Sequence, residues 1–325
     1  MRCVGLIVCA AIAAVAVALP MAQAEDFPSR PIHIIVPYPA GGGTDVQARI
    51  IAEQMSGLLG QPVVVENRSG ASGVIGSEAV ARAAPDGYTI VFGTSASHAV
   101  NAVVMKRLPY DPIKDFAPIT LVATLPNGII AGPSFPVRTM PELVKYLKEH
   151  PGTSYGTSGP TSSGRFAGEL LQAQLNVKLT LIPYKGGSQA AADVVAGHVP
   201  IGIFDIGGLA PMLLGGQVHA IAFTGSSRLS SYPDVPTVAE ASGLKDFVAE
   251  AWVAAFAPAA TPPDIVAKLN AAMRQVLNRP DVKKAIEKTG AVVRAGSPED
   301  LHAFVASEIK KWGTLARENH INVDN

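Results

Sequence analysis

Cysteine is almost missing from this chain: the 325 residues contain two, Cys3 and Cys9, both close to the start. They lie in a segment with the layout of a secretory leader. A basic start (Arg2) precedes an uncharged apolar run from Val4 to Leu19, then Pro20, then Ala22-Gln23-Ala24 with small residues at the two positions a signal peptidase reads. The run is shorter than the about 20 residues that span a bilayer, so a leader cleaved after Ala24 is expected rather than an anchor. Neither cysteine has the small-residue context of a lipid-attachment site. The secreted chain, residues 25 to 325, then holds no cysteine, which excludes disulfides, thiolate metal sites and a cysteine nucleophile together. A chain of this length buries a sufficient core without such staples.

Charge of one sign is also lacking. Of 26 basic and 26 acidic residues the leader removes only Arg2, leaving a formal charge of about −1. No arginine-rich tract or basic stripe is present, which argues against nucleic acid as a partner. The acidic residues are dispersed and set up no steering field for cations. The seven histidines show no His-x-x-His or His-Glu-x-x-His spacing, so no metal site is expected. The Gly-x-Ser-x-Gly spacing occurs at Gly152 to Gly156, but Ser154 there reads as strand and not as a strand-to-helix elbow. No nucleophile–base pair emerges, and the chain does not read as an enzyme.

What the sequence does contain is short β-branched runs alternating with amphipathic stretches. Ile32 to Val36 reads as a strand buried on both faces, followed by a loop over Pro37 to Gly43. A helix follows with Val46, Ile50, Ile51, Met55, Leu58 and Leu59 on one side. Thr44 and Gln47 form its expected capping box, and Gly60 its stop. Val63 to Val65 and Thr89 to Phe92 read as further strands. The middle third repeats the pattern. Thr139 and Glu142 open a helix ending near His150, and a strand at Ser154-Tyr155 leads into the loop Thr157 to Ser163. A helix carries Phe166, Leu170, Leu171 and Leu175, and Lys178 to Ile182 and Ile201 to Phe204 are strands around a helix at Gln189 to Ala196. Helices are expected to start at Thr261 and Ser297, each with a hydroxyl cap and proline in the first turn.

This alternation implies crossover connections and parallel sheet. The expected architecture is α/β in two domains joined by a two-strand hinge. Residues 25–123 plus 225–325 form the first domain and residues 124–224 the second, with crossings near Ala123-Thr124 and Thr224-Gly225. Such a crossing is the usual mechanical basis of closure on a ligand.

Two loops are the foremost binding candidates. Tyr38-Pro39-Ala40-Gly41-Gly42-Gly43-Thr44-Asp45 lies where a strand ends and a helix begins, the place where open α/β sheets bind ligands. Its glycines allow close backbone approach, and the helix start offers unpaired N–H groups and a partial positive charge, an anion cradle needing no lysine or arginine. Tyr38, Ala40, Gly41, Gly42 and Thr44 are the candidates there. No Gly-Lys-Ser/Thr follows, and Val46 stands where a dinucleotide fingerprint needs its third glycine, so no nucleotide cofactor is expected. The second loop, Thr157 to Gly164, contributes Ser158, Gly159, Thr161 and Ser162 on the opposite wall, Ser162 or Ser163 also capping the next helix. Ser95 and His98, at the end of a strand over Gly93 to Ser97, are placed near the cleft, the histidine as a hydrogen-bonding group. Lys185 could offset a carboxylate, and Asp205 could orient a hydroxyl, an amine or a water.

Several stretches in this order resemble one family: Val36-Pro37-Tyr38-Pro39-Ala40-Gly41-Gly42-Gly43-Thr44-Asp45, Val65-Glu66-Asn67-Arg68-Ser69-Gly70-Ala71-Ser72-Gly73, Ala84-Pro85-Asp86-Gly87-Tyr88-Thr89, Pro183-Tyr184-Lys185-Gly186, Phe204-Asp205, Pro233-Asp234-Val235-Pro236-Thr237 and Phe256-Ala257-Pro258. The set resembles the Bug (TctC-like) periplasmic receptors of tripartite tricarboxylate transporters. The resemblance implies a Venus-flytrap, type II-like periplasmic binding protein that works as a monomer and delivers a small organic carboxylate to a membrane permease. It also implies a carboxylate held by backbone groups of Ala40 to Thr44 and Ser158 to Ser162. Thr161 stands where that family usually has glycine and Arg165 where it usually has histidine; two readings of Arg165 are open, a guanidinium fork that donates to a second carboxylate and a surface arginine of the first helical turn. A sensor for a membrane signalling partner and a periplasmic enzyme are the competing readings.

Overall fold

A computed structural model describes residues 26–321 apart from Lys185 and Lys245. The expected leader with Cys3 and Cys9, and the candidate Lys185, lie outside the described residues. Chain order begins with β1 (Ile32–Val36), α1 (Gly43–Leu59), β2 (Val63–Asn67), α2 (Val74–Ala81) and β3 (Thr89–Thr94). A π-helical turn (Ala96–Val100) runs into α3 (Asn101–Val104), and β4 (Phe116–Ala131) follows. Then come α4 (Met140–Glu149), β5 (Thr153–Thr157), α5 (Ser163–Leu175), β6 (Leu179–Pro183), α6 (Gly187–Val195), β7 (Ile201–Asp205), α7 (Ile206–Leu214) and β8 (His219–Phe223). The last part holds α8 (Val238–Ser242), β9 (Glu250–Pro258), α9 (Pro263–Leu277), α10 (Pro280–Glu287), β10 (Val292–Val293) and α11 (Pro298–Glu318).

Strand periodicity explains why β1 is apolar except at His33, which is half-buried with Nδ1 2.6 Å from Glu66 Oε1. Ile32, Ile34 and Val36 point into one cluster with Ile51 and Met55 of α1 and Leu269 and Met273 of α9. Ile35 points the other way, into a cluster with Val80, Val100 and Trp312. Both faces are covered at these four positions, which are therefore apolar. The second half repeats this: Ile201 and Ile203 of β7 pack with Phe166 and Leu171 of α5, whereas Phe204 packs with Ala190 and Val194 of α6.

The strand order is β2-β1-β3-β9-β4-β7-β5-β6, with β8 and β10 also paired to β4. The parallel sheet expected from the alternation is found for β1 with β2 and β3, and for β5 with β6 and β7. The whole is nevertheless mixed, because β9 enters antiparallel between β3 and β4. The cause is connectivity: β4 carries the chain out of the first strand set and β9 returns it, so the two run in opposite directions. β4 is the strand common to both sets. Its first part, to Pro126, pairs with β9, and its last part, from Asn127, pairs with β7 and β8. Thr237 bridges Phe223 of β8, and α8 packs on β8 and on α4.

Most helix ends follow their sequence signals. Thr139 with Glu142 and Ser297 with Asp300 form complete capping boxes, Ser162 caps α5, and Gly60 adopts the left-handed conformation that ends α1. Two expectations are corrected. α9 is capped by Pro262 without a side-chain bond, because the Thr261 hydroxyl donates to Pro258 O at 2.7 Å instead. The Thr44–Gln47 box does not form. α1 begins two residues earlier than that box requires, at Gly43, with Gly42 as a cap that has no side chain to offer.

Candidate functional site

The uncapped start of α1 is the feature around which the site is built. The first bond of the helical ladder runs from Val46 N–H to Gly42 O at 3.0 Å, so by helix geometry the N–H groups of Gly43 and Thr44 precede the ladder and have no partner within the helix. Ala40 to Gly43 are exposed and Thr44 is half-buried. No atom lies within 4 Å of where a Cβ on Gly41 or Gly43 would sit, leaving room for a ligand to approach the backbone. Gly41 has φ +83°, which a side chain would strain.

Asp45 fixes this loop without facing a ligand. Its buried carboxylate accepts from Gly41 N–H at 2.8 Å, from Arg49 Nε at 3.0 Å and from Asn67 Nδ2 at 2.9 Å. Asn67 Nδ2 also donates to Tyr38 O at 3.1 Å, tying the loop's first residue to the same group. Burial alone would raise the Asp45 pKa, but the bonds from Arg49, Gly41 and Asn67 outweigh it and hold the carboxyl below its ordinary value. The anion already present is thus neutralised in place. Tyr38 is anchored through its hydroxyl, 2.5 Å from Thr94 Oγ1, and burial raises its pKa, so it stays a neutral hydrogen-bonding group.

The second loop is organised around its own carbonyls. Gly159 O accepts from the hydroxyls of Ser162 (2.8 Å) and Thr157 (3.3 Å). Gly159 itself is buried with φ +151°, and Ser158 is half-buried. Ser162 Oγ then caps α5 by accepting Arg165 N–H at 3.2 Å. Gly164 brings α5 so close to β7 that a methyl there would overlap Ile203 O, which seats the loop against the crossing strands. Thr161 is 8% exposed and its hydroxyl donates to Ser72 Oγ, in the turn before α2, at 3.1 Å. That bond joins the wall built on β5 to the wall built on β1 and β3.

The crossing is held by buried polar groups. Asn127 donates from Nδ2 to Ala249 O at 2.7 Å and accepts from Ser163 Oγ at 2.8 Å. Its backbone N–H donates to Thr224 Oγ1 at 2.9 Å, and Thr224 Oγ1 donates to Ala249 O at 2.7 Å. One asparagine therefore connects the outgoing strand, the returning strand and the first residue of α5.

Other candidates are placed differently. His98 does not reach a cleft: it is wholly buried, stacked on Phe256 at 4.3 Å with Phe116 edge-on at 4.7 Å. Burial pushes its pKa down to about 3, and Nδ1 is 2.9 Å from Ser97 Oγ; it is a neutral core residue. Ser95 is buried at the start of the π-helical turn. Asp205 closes β7, half-buried, in register with Asn127. Arg165 turns back on its own segment, Nη1 donating to Pro160 O at 2.7 Å and Nε lying 3.9 Å from Glu169 Oε1. Ser72, Asn67 and Asn127 were not among the sequence candidates. Ser72 and Asn67 belong to a stretch that carried the family resemblance, whereas Asn127 left no local signal. A groove of about 770 Å³ beside Phe116, Pro118, Val266, Asn270 and His302 contains none of these residues.

No helix among the described residues is long and apolar enough to cross a membrane. The sequence pattern of the tripartite tricarboxylate transporter family receptor matches residues 47–321. Among solved structures the chain is similar to the periplasmic binding protein BugD, with 35% identity and a TM-score of 0.76 over 91% of this chain and 99% of that one. It is also similar to Rpa4515 of R. palustris with adipate, with 34% identity and a TM-score of 0.81 over 91% and 99% of the two chains. A third is MatC (Rpa3494) from Rhodopseudomonas palustris with bound malate, with 36% identity and a TM-score of 0.75 over 89% and 99%. The mixed α/β fold is that of periplasmic binding proteins, and with most of its length matched, this chain belongs to the tripartite tricarboxylate transporter receptor family.

Proposed function

We propose that this chain is a secreted receptor that captures a small organic carboxylate between the loops Tyr38–Thr44 and Ser158–Ser162 and delivers it to a membrane permease, without chemistry of its own. The observation that carries the reading is the uncapped start of α1, with its open space and its neighbouring carboxylate already satisfied. N–H groups at a helix start favour an anion, and here no side chain competes for them. Adipate and malate in two similar receptors indicate the ligand class. The two walls would belong to two lobes meeting where β4 changes partners at Pro126–Asn127 and where the chain returns at Ala249–Glu250, with α8 in the second lobe. Arg165 acts in this reading through Pro160, as a brace for the second loop.

The test is thermal unfolding of the secreted chain with malate, adipate and a panel of mono- and tricarboxylates, each paired with its neutral amide. An acid at about 100 times its dissociation constant adds about 2.7 kcal/mol of stability and raises the midpoint by a few degrees. A shift by one group of acids, with their amides silent, is expected. Equal shifts by acid and amide, or none from any acid in ligand-free protein, would reject the carboxylate reading.

A further inference from the structure

The turn before α2 holds locally strained backbone. Gly70, Ala71, Ser72 and Gly73 have φ of 141°, 46°, 54° and 89°, four consecutive positive values. Two of these residues carry side chains, for which the left-handed region is unfavourable. Such strain persists only where the surroundings over-determine it. Here Asn101 Nδ2 donates to Ser72 O at 3.1 Å, Gly73 N–H donates to Gly70 O at 3.0 Å, and Gly73 packs so tightly on Tyr38 that a Cβ would lie 2.8 Å from its hydroxyl. The result aims one group across the cleft: Ser72 Oγ, 3.1 Å from Thr161 Oγ1.

We propose that Ser72 and Thr161 are positioning residues that form a hydroxyl latch between the two walls, with the left-handed turn kept strained in order to present Ser72. A Cβ is required there to carry the hydroxyl, and that same Cβ is what makes the conformation unfavourable. Thr161 is buried, and its neighbours Pro160 and Ser162 are fixed by Arg165 and Gly159. The latch therefore sets where the whole second loop stands relative to the start of α1. The inference rests on the receptor reading above, since the distance between the walls matters only if a ligand lies between them.

Four variants test it: Ser72→Ala, Thr161→Val, the two combined, and Ser72→Gly. Amide hydrogen exchange of the segments around residues 70–74 and 158–163 is followed without ligand and with excess malate or adipate. Each single variant should exchange about fivefold faster in both segments, as expected for one neutral hydrogen bond. The double variant should be no faster than either, because one bond is lost in all three. Ser72→Gly should exchange as fast as Ser72→Ala yet unfold at a higher temperature, since it loses the latch together with the strain. Exchange at the wild-type rate in both conditions, or additive effects in the double variant, would overturn the latch, as would a Ser72→Gly protein no more stable than Ser72→Ala. The receptor reading fails separately: accelerated exchange in a protein that malate, adipate and the other acids do not stabilise leaves the latch standing and removes the ligand class.

Discussion

A single carboxylate decides the electrostatics of the first loop. Asp45 lies at the third position of α1, where the helix dipole favours an anion, but it is consumed by Gly41, Arg49 and Asn67. Its folded pKa is lowered, so the folded state binds its proton less readily than the unfolded chain. The stability it contributes is present above the unfolded value of about 3.9 and is lost as pH falls through the folded pKa. An Asp45→Asn protein should therefore melt below the wild type at pH 7, and the two should converge as pH is lowered past about 4. Melting curves from pH 7 to pH 3 measure this; a gap that is constant with pH would contradict the assignment. Asp45 was legible only as a member of a glycine-rich motif. Its role depends on Asn67, which is 22 positions away and brought near by the parallel pairing of β1 and β2. His98 was misplaced for a related reason: local sequence puts it after a strand, but only β9 and β4 show that Phe256 and Phe116 enclose it.

Most elements with local signals were read well from sequence, the Thr44–Gln47 box and the Thr261 cap excepted, and those set by distant partners were not. The capping boxes at Thr139 and Ser297 need only four residues each and form as expected. β4 gave no strand signal over its length, because Pro118 and Pro126 argue against one. The strand absorbs Pro118 at a register shift and Pro126 at the point where it changes partners. The return element is held from the other side by α11. Glu308 of that helix accepts from Trp252 Nε1 of β9 at 3.1 Å and from its own Trp312 Nε1 at 2.9 Å, and is paired with Lys311. Trp312 also meets Phe166 of α5 edge-on at 5.5 Å, so one helix touches β9 and the helix that follows the second loop. Removing the carboxylate leaves two buried indole donors unsatisfied. Glu308→Ala should lower stability by about 2–5 kcal/mol, read from urea unfolding, whereas a loss below about 0.5 kcal/mol would place the packing of α11 in its apolar contacts alone.

The whole molecule is two strand sets sharing β4, joined by apolar packing such as Trp312 on Phe166 and, at the crossing itself, by polar groups. Asn127 sits where β4 changes partners, bonding Ala249 and Ser163 through its side chain. Asn127→Ala should cost about 1–3 kcal/mol of stability by leaving the half-buried Ser163 hydroxyl without its acceptor and Ala249 O with Thr224 as its remaining side-chain donor, and should loosen the start of α5 more than the start of α1. Equilibrium unfolding with hydrogen exchange at both sites would show this, and equal loosening at the two would contradict it. The broad plan was visible in the sequence because alternating apolar strands and amphipathic helices require crossovers. The direction of β9 and the position of α8 were not, since both follow from how the chain returns. The account as a whole stands on the claim that a carboxylate occupies the open start of α1. A crystal structure with malate or adipate bound answers it. The prediction is a carboxylate oxygen within about 3.2 Å of the Gly43 or Thr44 N–H, with the second loop closed over it and Ser72 still bonded to Thr161. An acid bound away from these N–H groups, for instance in the groove beside Phe116 and His302, would contradict it.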